Sequence, residues 1–209
     1  MSADTSRPLQ GVRVLDATNV LAGPFCCHQL AHLGADVIKI EAPGRGDLAR
    51  RLGADERLSE QQMGASFLAQ NAGKRSIVLD LKHPDGKAVF RRMAGQAEVV
   101  VENFRPGVMD RLDLGWNALQ QVNPKLIYCA ISGYGQTGPM RALPAYDQII
   151  QGVSGLMAVT GAPDTAPYRA GFPVCDTIGG LTAAMAICAA LAEPKERRQG
   201  RFIDVSMLE

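Results

Sequence analysis

The chain has no surplus of positive charge: its 209 residues carry 22 Lys+Arg against 21 Asp+Glu. Nucleic acid and anionic membranes both draw on a basic excess, so neither is expected as the main partner, and any positive site must be local. A C-x-x-C pair is missing, and the five cysteines (Cys26, Cys27, Cys129, Cys175 and Cys188) form no even framework. Such thiols belong in a reducing compartment, which makes a cytoplasmic location the expectation. The opening MSADTSRPLQ is polar and lacks the apolar run of a secretory signal. The richest apolar run, Leu181 to Ala192, covers roughly half of the ~20 residues a membrane helix needs, so a soluble protein is expected.

Several catalytic signatures are absent too. The first strand–turn–helix could open a dinucleotide fold, with Glu41 on a ribose hydroxyl. The turn ATNVLAG has only Gly23, however, where G-x-G-x-x-G would let the backbone approach a pyrophosphate. His28 and His32 share a helix face, but Gln29 stands where a zinc protease needs glutamate, and no third ligand is evident. No G-x-S-x-G elbow occurs. Cys175, near a helix start, has no histidine close in sequence to serve as its base. Arg45-Gly46-Asp47 reads as a simple turn.

What is present is alternation. Val12–Asp16, Asp36–Ile40, Ser76–Leu79, Glu98–Val101 and Lys125–Ala130 read as strands, apolar nearly throughout, which implies a sheet covered on both faces. Pro24–Leu33 and Pro84–Ala94 read as helices, each opening with the proline that suits a first turn. The expectation is a doubly wound α/β domain with a mainly parallel sheet. An apolar share of 46% is enough to bury its core. Gly44–Gly64 and Gly133–Pro144 read as loops. A helix is expected from Thr177 to about Glu193, apolar around its axis and so buried on most sides. The boundaries expected are residues 1–200 for this domain and 201–209 for the start of a further strand, where the chain looks cut before a second domain.

Asp176 sits where that last helix begins, at the N-cap position. An aspartate there ordinarily does nothing but cap. Yet its neighbours are apolar, Gly179 and Gly180 leave room beside the first turn, and the helix N–H groups would keep the carboxylate ionised. A partly desolvated carboxylate could attack an electrophile lying over the glycines. Spacing alone does not choose between cap and nucleophile.

Eight segments in order resemble the family III CoA-transferases: PLQGVRVLDATNVLAGP, LGADVIKIEAPGRGD, NAGKRSIVLDLKHPDGK, VVVENFRPGVMDRLDLGW, NPKLIYCAISGYGQTGP, YDQIIQGVSGLMAVTG, CDTIGGLTAA and GRFIDVSMLE. The resemblance implies a Rossmann-like large domain that binds coenzyme A as a substrate, with no permanent cofactor or metal. It puts Asp176 on the family's nucleophile, which passes CoA from an acyl-CoA to a carboxylic acid through anhydride and aspartyl-CoA thioester intermediates. It puts Val20, Ala22, Leu79, Lys82, Asn103, Phe104 and Arg111 on CoA-binding positions. Full-length members are longer and form interlocked homodimers.

This chain departs from the formyl-CoA enzymes at Leu21, Ala42 and Pro144, where they carry glutamine, arginine and lysine, so a different acyl group is implied. The α-methylacyl-CoA racemases share the fold but need a second base, a histidine in G-H-D, where this chain reads Ala145-Tyr146-Asp147. Racemase and non-catalytic CoA-binding fragment remain the alternatives.

Overall fold

A computed structural model of the chain describes residues 7–209, so most of the polar opening stretch lies outside it. The strands are β1 (Arg13–Ala17), β2 (Asp36–Glu41), β3 (Arg75–Val78), β4 (Val99–Glu102), β5 (Ile127–Ser132) and β6 (Arg201–Ser206). The helices are α1 (Ala22–His32), α2 (Glu56–Glu60), α3 (Ala65–Asn71), α4 (Pro84–Ala94), α5 (Val108–Arg111), α6 (Trp116–Val122), α7 (Asp147–Val153) and α8 (Val174–Leu191).

Successive residues of a strand face opposite sides of the sheet, and in the central strands β4 and β5 both sides are apolar, whereas the edge strand β3 is largely exposed. In β4, Val99 and Val101 join one buried cluster and Val100 the other; in β5, Ile127, Cys129 and Ile131 oppose Tyr128 and Ala130. The first cluster is closed by α1 and α8, the second by α4 and α6. All six strands run parallel in the order β3-β2-β1-β4-β5-β6. This is the doubly wound α/β fold expected. The chain winds outward one way through β2 and β3 and the other way through β5 and β6. A crevice therefore opens at the carboxyl ends of β1 and β4, where ligands bind in such sheets. The run from Arg201 forms the far edge of this same sheet, paired with β5 from Ile127↔Arg201 to Ser132↔Ser206.

Four expectations are corrected. Gly44–Gly64 is not a plain loop: Asp47 caps a 3₁₀ turn (Leu48–Arg51) and Asp55 caps α2, each carboxylate accepting a backbone N–H inside the turn that follows. The last helix starts three residues early, at Val174, which moves Asp176 off the cap and into the first turn. That helix is also not buried on most sides, since Ile178, Leu181 and Met185 form an apolar stripe at 59%, 55% and 66% exposure. By length and composition α8 could cross a bilayer. Its Ala183, Ala184, Ile187 and Ala190 nevertheless pack into the domain's own core.

The room expected beside Gly180 is taken. A Cβ there would lie 2.4 Å from the Ala22 carbonyl oxygen and 3.1 Å from the Phe25 ring, so the missing side chain is what lets α8 lie against α1. Gly180→Ala should therefore lower stability by about 3 kcal/mol, because backbone would have to move. Gly152→Ala in α7, where the nearest atom would be Met157 Sδ at 3.9 Å, should raise it by about 0.5–1 kcal/mol. Thermal melts of the two variants, shifting in opposite directions, check this.

Candidate active site

The crevice is built on a turn, residues 18–21, between β1 and α1. Val20 in that turn has φ +69°, a left-handed conformation that is costly for a β-branched side chain. Two clamps hold it. Asn19 and Asn103 exchange hydrogen bonds, Asn19 N–H to Asn103 Oδ1 and Asn103 Nδ2–H to the Asn19 carbonyl, both at 2.8 Å, tying the β1 turn to the β4 turn. The Val20 N–H itself donates to Asp47 Oδ1 at 3.0 Å.

Asp47 belongs to a buried ionic lattice. Lys39 Nζ lies 2.8 Å from Asp47 Oδ2, 3.0 Å from the Thr18 carbonyl and 4.0 Å from Asp16 Oδ1. Lys74 Nζ donates at 2.8 Å to Asp16 Oδ2, Asn71 Oδ1 and the Pro24 carbonyl. Burial pushes the Asp16 carboxyl up, but the two ammonium groups overcome it and hold it below its ordinary value. Burial likewise pulls the Lys39 ammonium down, and Asp16 and Asp47 outweigh it. Arg45-Gly46-Asp47 is thus more than a turn, its aspartate being fully enclosed.

Glu41 braces the same loop. It accepts from Arg50 Nε and Nη2 at 2.6 and 2.7 Å, from Ser76 Oγ and from the Asp47 N–H. Burial opposes its charge, yet the Arg50 and Ser76 hydrogen bonds bring its carboxyl down to about 2. Both oxygens are occupied, so the ribose contact of a dinucleotide fold has no acceptor here. On α1, His28 Nδ1 donates to the Ala72 carbonyl at 3.1 Å and His32 Nε2 to His28 Nε2 at 2.9 Å. No metal-holding cluster occurs among the described residues.

Two cavities meet along the crevice. One, of about 280 Å³, is lined by Val20, Ala22, Asn103, Phe104, Tyr146 and Asp176. The second, of about 460 Å³, lies over the ends of β2 and β3 and is lined by Leu79, Lys82, Val20 and Phe104, with Ile40 and Leu112. Asn19, Val20 and Phe104 line both. The structure thus gathers Asp176 with Val20, Ala22, Asn103, Phe104, Leu79 and Lys82. It does not bring Arg111 with them: that side chain borders a third cavity, beside Trp116, Tyr128 and Phe202. At the end of β4, bordering that third cavity, Glu102 accepts the Phe104 N–H at 2.8 Å, and burial raises its carboxyl to about 8.

The residue that caps α8 is Asp147, at the start of α7. Its Oδ1 accepts the N–H groups of Cys175 and Asp176 at 2.8 and 3.1 Å, and its Oδ2 accepts from Gln151 Nε2. The helix-start donors expected to hold Asp176 ionised are already taken. Burial first, and the Asp147 charge second, instead raise the Asp176 carboxyl from 3.8 to about 7. Burial, with Asp147 and Asp176 adding to it, also pushes the Cys175 thiol up, away from the thiolate a nucleophile needs. Nothing local in the sequence marks Asp147 as a cap, because its partner N–H groups lie 28 and 29 residues further on.

A doubly wound sheet whose switch-point crevice ends on a half-buried carboxyl group has the form of an α/β ligand-binding domain. The chain belongs to CoA-transferase family III, whose model matches residues 9–209. It is 44% identical over 205 residues to a succinate–glutarate CoA-transferase of Agrobacterium fabrum, covering 97% of this chain and 51% of the relative. It is 46% identical over 203 residues to an acetyl-CoA:oxalate CoA-transferase of Acetobacter aceti, again covering 97% and 51%. A CaiB/BaiF family protein from Brucella suis, of solved structure, superposes with a TM-score of 0.89 at 38% identity, covering 97% of this chain and 54% of that one. The chain spans about half the length of the curated relatives it matches.

Between 3.8 and about 7 the folded Asp176 carboxyl holds a proton that the unfolded one has released. The unfolding free energy should therefore fall as pH rises through that window, with up to about 4 kcal/mol of the fall due to this group, and Asp176→Asn should make the slope shallower, leaving the part that the raised Glu102 carboxyl contributes in the same direction. Asp147→Asn keeps an oxygen for the two N–H groups but removes the charge, so the window should narrow from its upper end. Denaturant titrations at a series of pH values measure both effects. Lys39→Met, which leaves the buried Asp47 carboxylate without its cation while Asp16 keeps Lys74, should cost about 3–5 kcal/mol in the same assay.

Proposed function

We propose that the protein transfers coenzyme A from an acyl-CoA donor to a carboxylic acid acceptor, in the cytoplasm, with Asp176 as the nucleophile. The observation that carries this reading is the Asp176 carboxyl. It opens into the cavity at the switch point, and that cavity continues past Val20 and Phe104 into an apolar pocket flanked by Lys82. In the first step the carboxylate attacks the thioester carbonyl carbon, the C–S bond breaks, and an acyl-aspartyl anhydride and CoA thiolate result. The thiolate attacks the aspartyl carbon of the anhydride, releasing the donor acid and leaving an aspartyl-CoA thioester. The acceptor carboxylate attacks that thioester to give a second anhydride. The returning thiolate then attacks its acceptor carbon, which frees Asp176 and the new acyl-CoA.

A carboxyl raised to about 7 suits this cycle. It is substantially ionised at neutral pH, and the poor solvation that raises its proton affinity also sharpens its attack on carbon. Val20, Ala22, Leu79, Asn103 and Phe104 would flank the CoA chain, and Lys82 would offset its phosphates. Arg111, facing a different cavity, would join them only through the turn it borders. The relatives' names point to small acids, several of them dicarboxylic, and Arg141 borders the cavity that holds Asp176. A second carboxylate on the acyl group would meet that guanidinium. The apolar stripe on α8 supports a homodimer in which another copy covers it. No histidine lines the Asp176 cavity, and Tyr146 stands where a racemase would need its second base.

Mass spectrometry after incubation with succinyl-, glutaryl- and acetyl-CoA, with hydroxylamine to trap acyl intermediates, tests the reading. The expected outcome is a hydroxamate on the peptide carrying Asp176, formed faster from the dicarboxylic donors. Asp176→Ala should retain CoA binding and lose turnover by roughly 10³-fold or more. CoA binding with no acyl-enzyme from any donor would leave a binding fragment. Deuterium entering the α-carbon of a 2-methylacyl-CoA without transfer would indicate a racemase.

A further inference from the structure

The pocket over β2 and β3 carries more positive charge than any ion pair in the fold uses. Arg45 and Arg51, both on the loop after β2, line it together with Lys82. None of the three takes part in a salt bridge among the described residues. Arg51 makes only a long contact, 3.4 Å, to the Arg45 carbonyl. The contrast with Arg50 between them is instructive: that guanidinium is spent on Glu41 and lies 3.8 Å over the Phe67 ring. Two acids share the wall. Glu41 is neutralised by Arg50, and Asp80 accepts the Lys82 backbone N–H at 2.9 Å. Ala42, directly after β2, adds no charge, so the cationic rim comes from the loop itself.

Two guanidinium groups without ionic partners among the described residues, lining an apolar pocket, make a site for a phosphate monoester joined to a flat apolar group. Guanidinium matches phosphate oxygens in pairs, and a monoester carries up to two charges near neutral pH. Direction along the crevice then decides which phosphate this is. Asp176 sits at the β1–β4 end, and the pyrophosphate of a bound CoA would lie in the neck lined by Asn19, Val20 and Phe104. Arg45 and Arg51 lie beyond it, over β2. We propose that Arg45 and Arg51 hold the ribose 3′-phosphate of coenzyme A and are the residues by which this protein distinguishes CoA from its 3′-dephospho form. The inference rests on the CoA-transferase reading for the orientation of the ligand, but it concerns binding rather than the acyl chemistry.

Calorimetric titration of the full protein with CoA and with 3′-dephospho-CoA tests it, using the wild type and the R45Q/R51Q double variant. Both side chains are exposed, so the variant should keep the wild-type melting temperature. Wild type is expected to bind CoA at least roughly tenfold more tightly than dephospho-CoA, and the double variant should bind both as weakly as wild type binds dephospho-CoA. A double variant that keeps the preference, or a wild type that shows none or binds neither ligand, overturns the assignment. Acylation of Asp176, read separately, keeps the two readings apart. A preference lost in the variant without any acyl-enzyme upholds this inference and sinks the proposed reaction. Acylation without a preference does the reverse.

Discussion

The crevice rests on four buried charges. Asp16 and Asp47 balance Lys39 and Lys74 beneath the β1–α1 turn, with side chains 2% exposed or less. Taking such ions out of water costs several kcal/mol each, and only near-complete pairing offsets it. Lys74 shows how that is met, with three oxygens at 2.8 Å from three separate segments. The lattice joins the end of β1, the middle of β2, the loop after β2 and the approach to β3. These are the segments that shape the apolar pocket. A core of aliphatic side chains would hold them together equally well, but it would not supply Asp47 Oδ1, the acceptor that keeps Val20 in its left-handed conformation. The turn is aimed by a hydrogen bond, and the hydrogen bond exists because the lattice holds its acceptor in place.

A second pair of acids works on the opposite principle. Asp147 and Asp176 meet at the start of α8 with no cation among their hydrogen-bond partners. Asp147 holds the stronger position, satisfying the helix's free N–H groups, and its charge adds to the burial that opposes ionisation of Asp176. The two carboxyl groups are alike in chemistry and separated in role by position alone. One caps and stays put, while the other has no side-chain hydrogen-bond partner among the described residues and faces a cavity.

Much of this was legible in the sequence, and the failures share a cause. The inner strands are legible because Val99, Val100 and Val101, or Ile127 to Ile131, are apolar on both faces, a pattern that does not depend on where the ends fall. Pro84 placed the start of α4 correctly, since a proline without an N–H fits a first turn. The start of α8 is not legible locally, because Asp176 is the nearest side chain able to cap, whereas the cap used belongs to Asp147 on another element. Gly180 looked like space for a ligand, and the space is filled by the backbone of α1. The turn at Asp47 looked bland, because nothing in R-G-D announces two lysines waiting beneath it. In each case local spacing gave the element, while the partner came from a distant part of the chain. Asp16, Lys39 and Lys74 stand in different segments, and no window along the sequence contains them together.

The two sites of uncomfortable chemistry, the Val20 turn and the Asp176 carboxyl, therefore depend on long-range contacts that local propensity would not produce. This is a consistent arrangement rather than a coincidence. A left-handed valine relaxes unless something rigid holds it, and a buried acid without a partner turns toward solvent unless its helix is fixed. The parallel sheet supplies that rigidity. Its inner strands are packed on both faces, so the turns at their carboxyl ends are anchored on one side by core and left open on the other. Gly180 brings α8 down onto α1, which begins at the strained turn, so the helix carrying Asp176 and the turn carrying Val20 are packed backbone against backbone. Their spacing is set by that contact, not by the ligand. If the proposed function holds, a thioester entering the crevice would meet a wall and a carboxyl group already in register, with the cost of holding both met by a core that lies elsewhere.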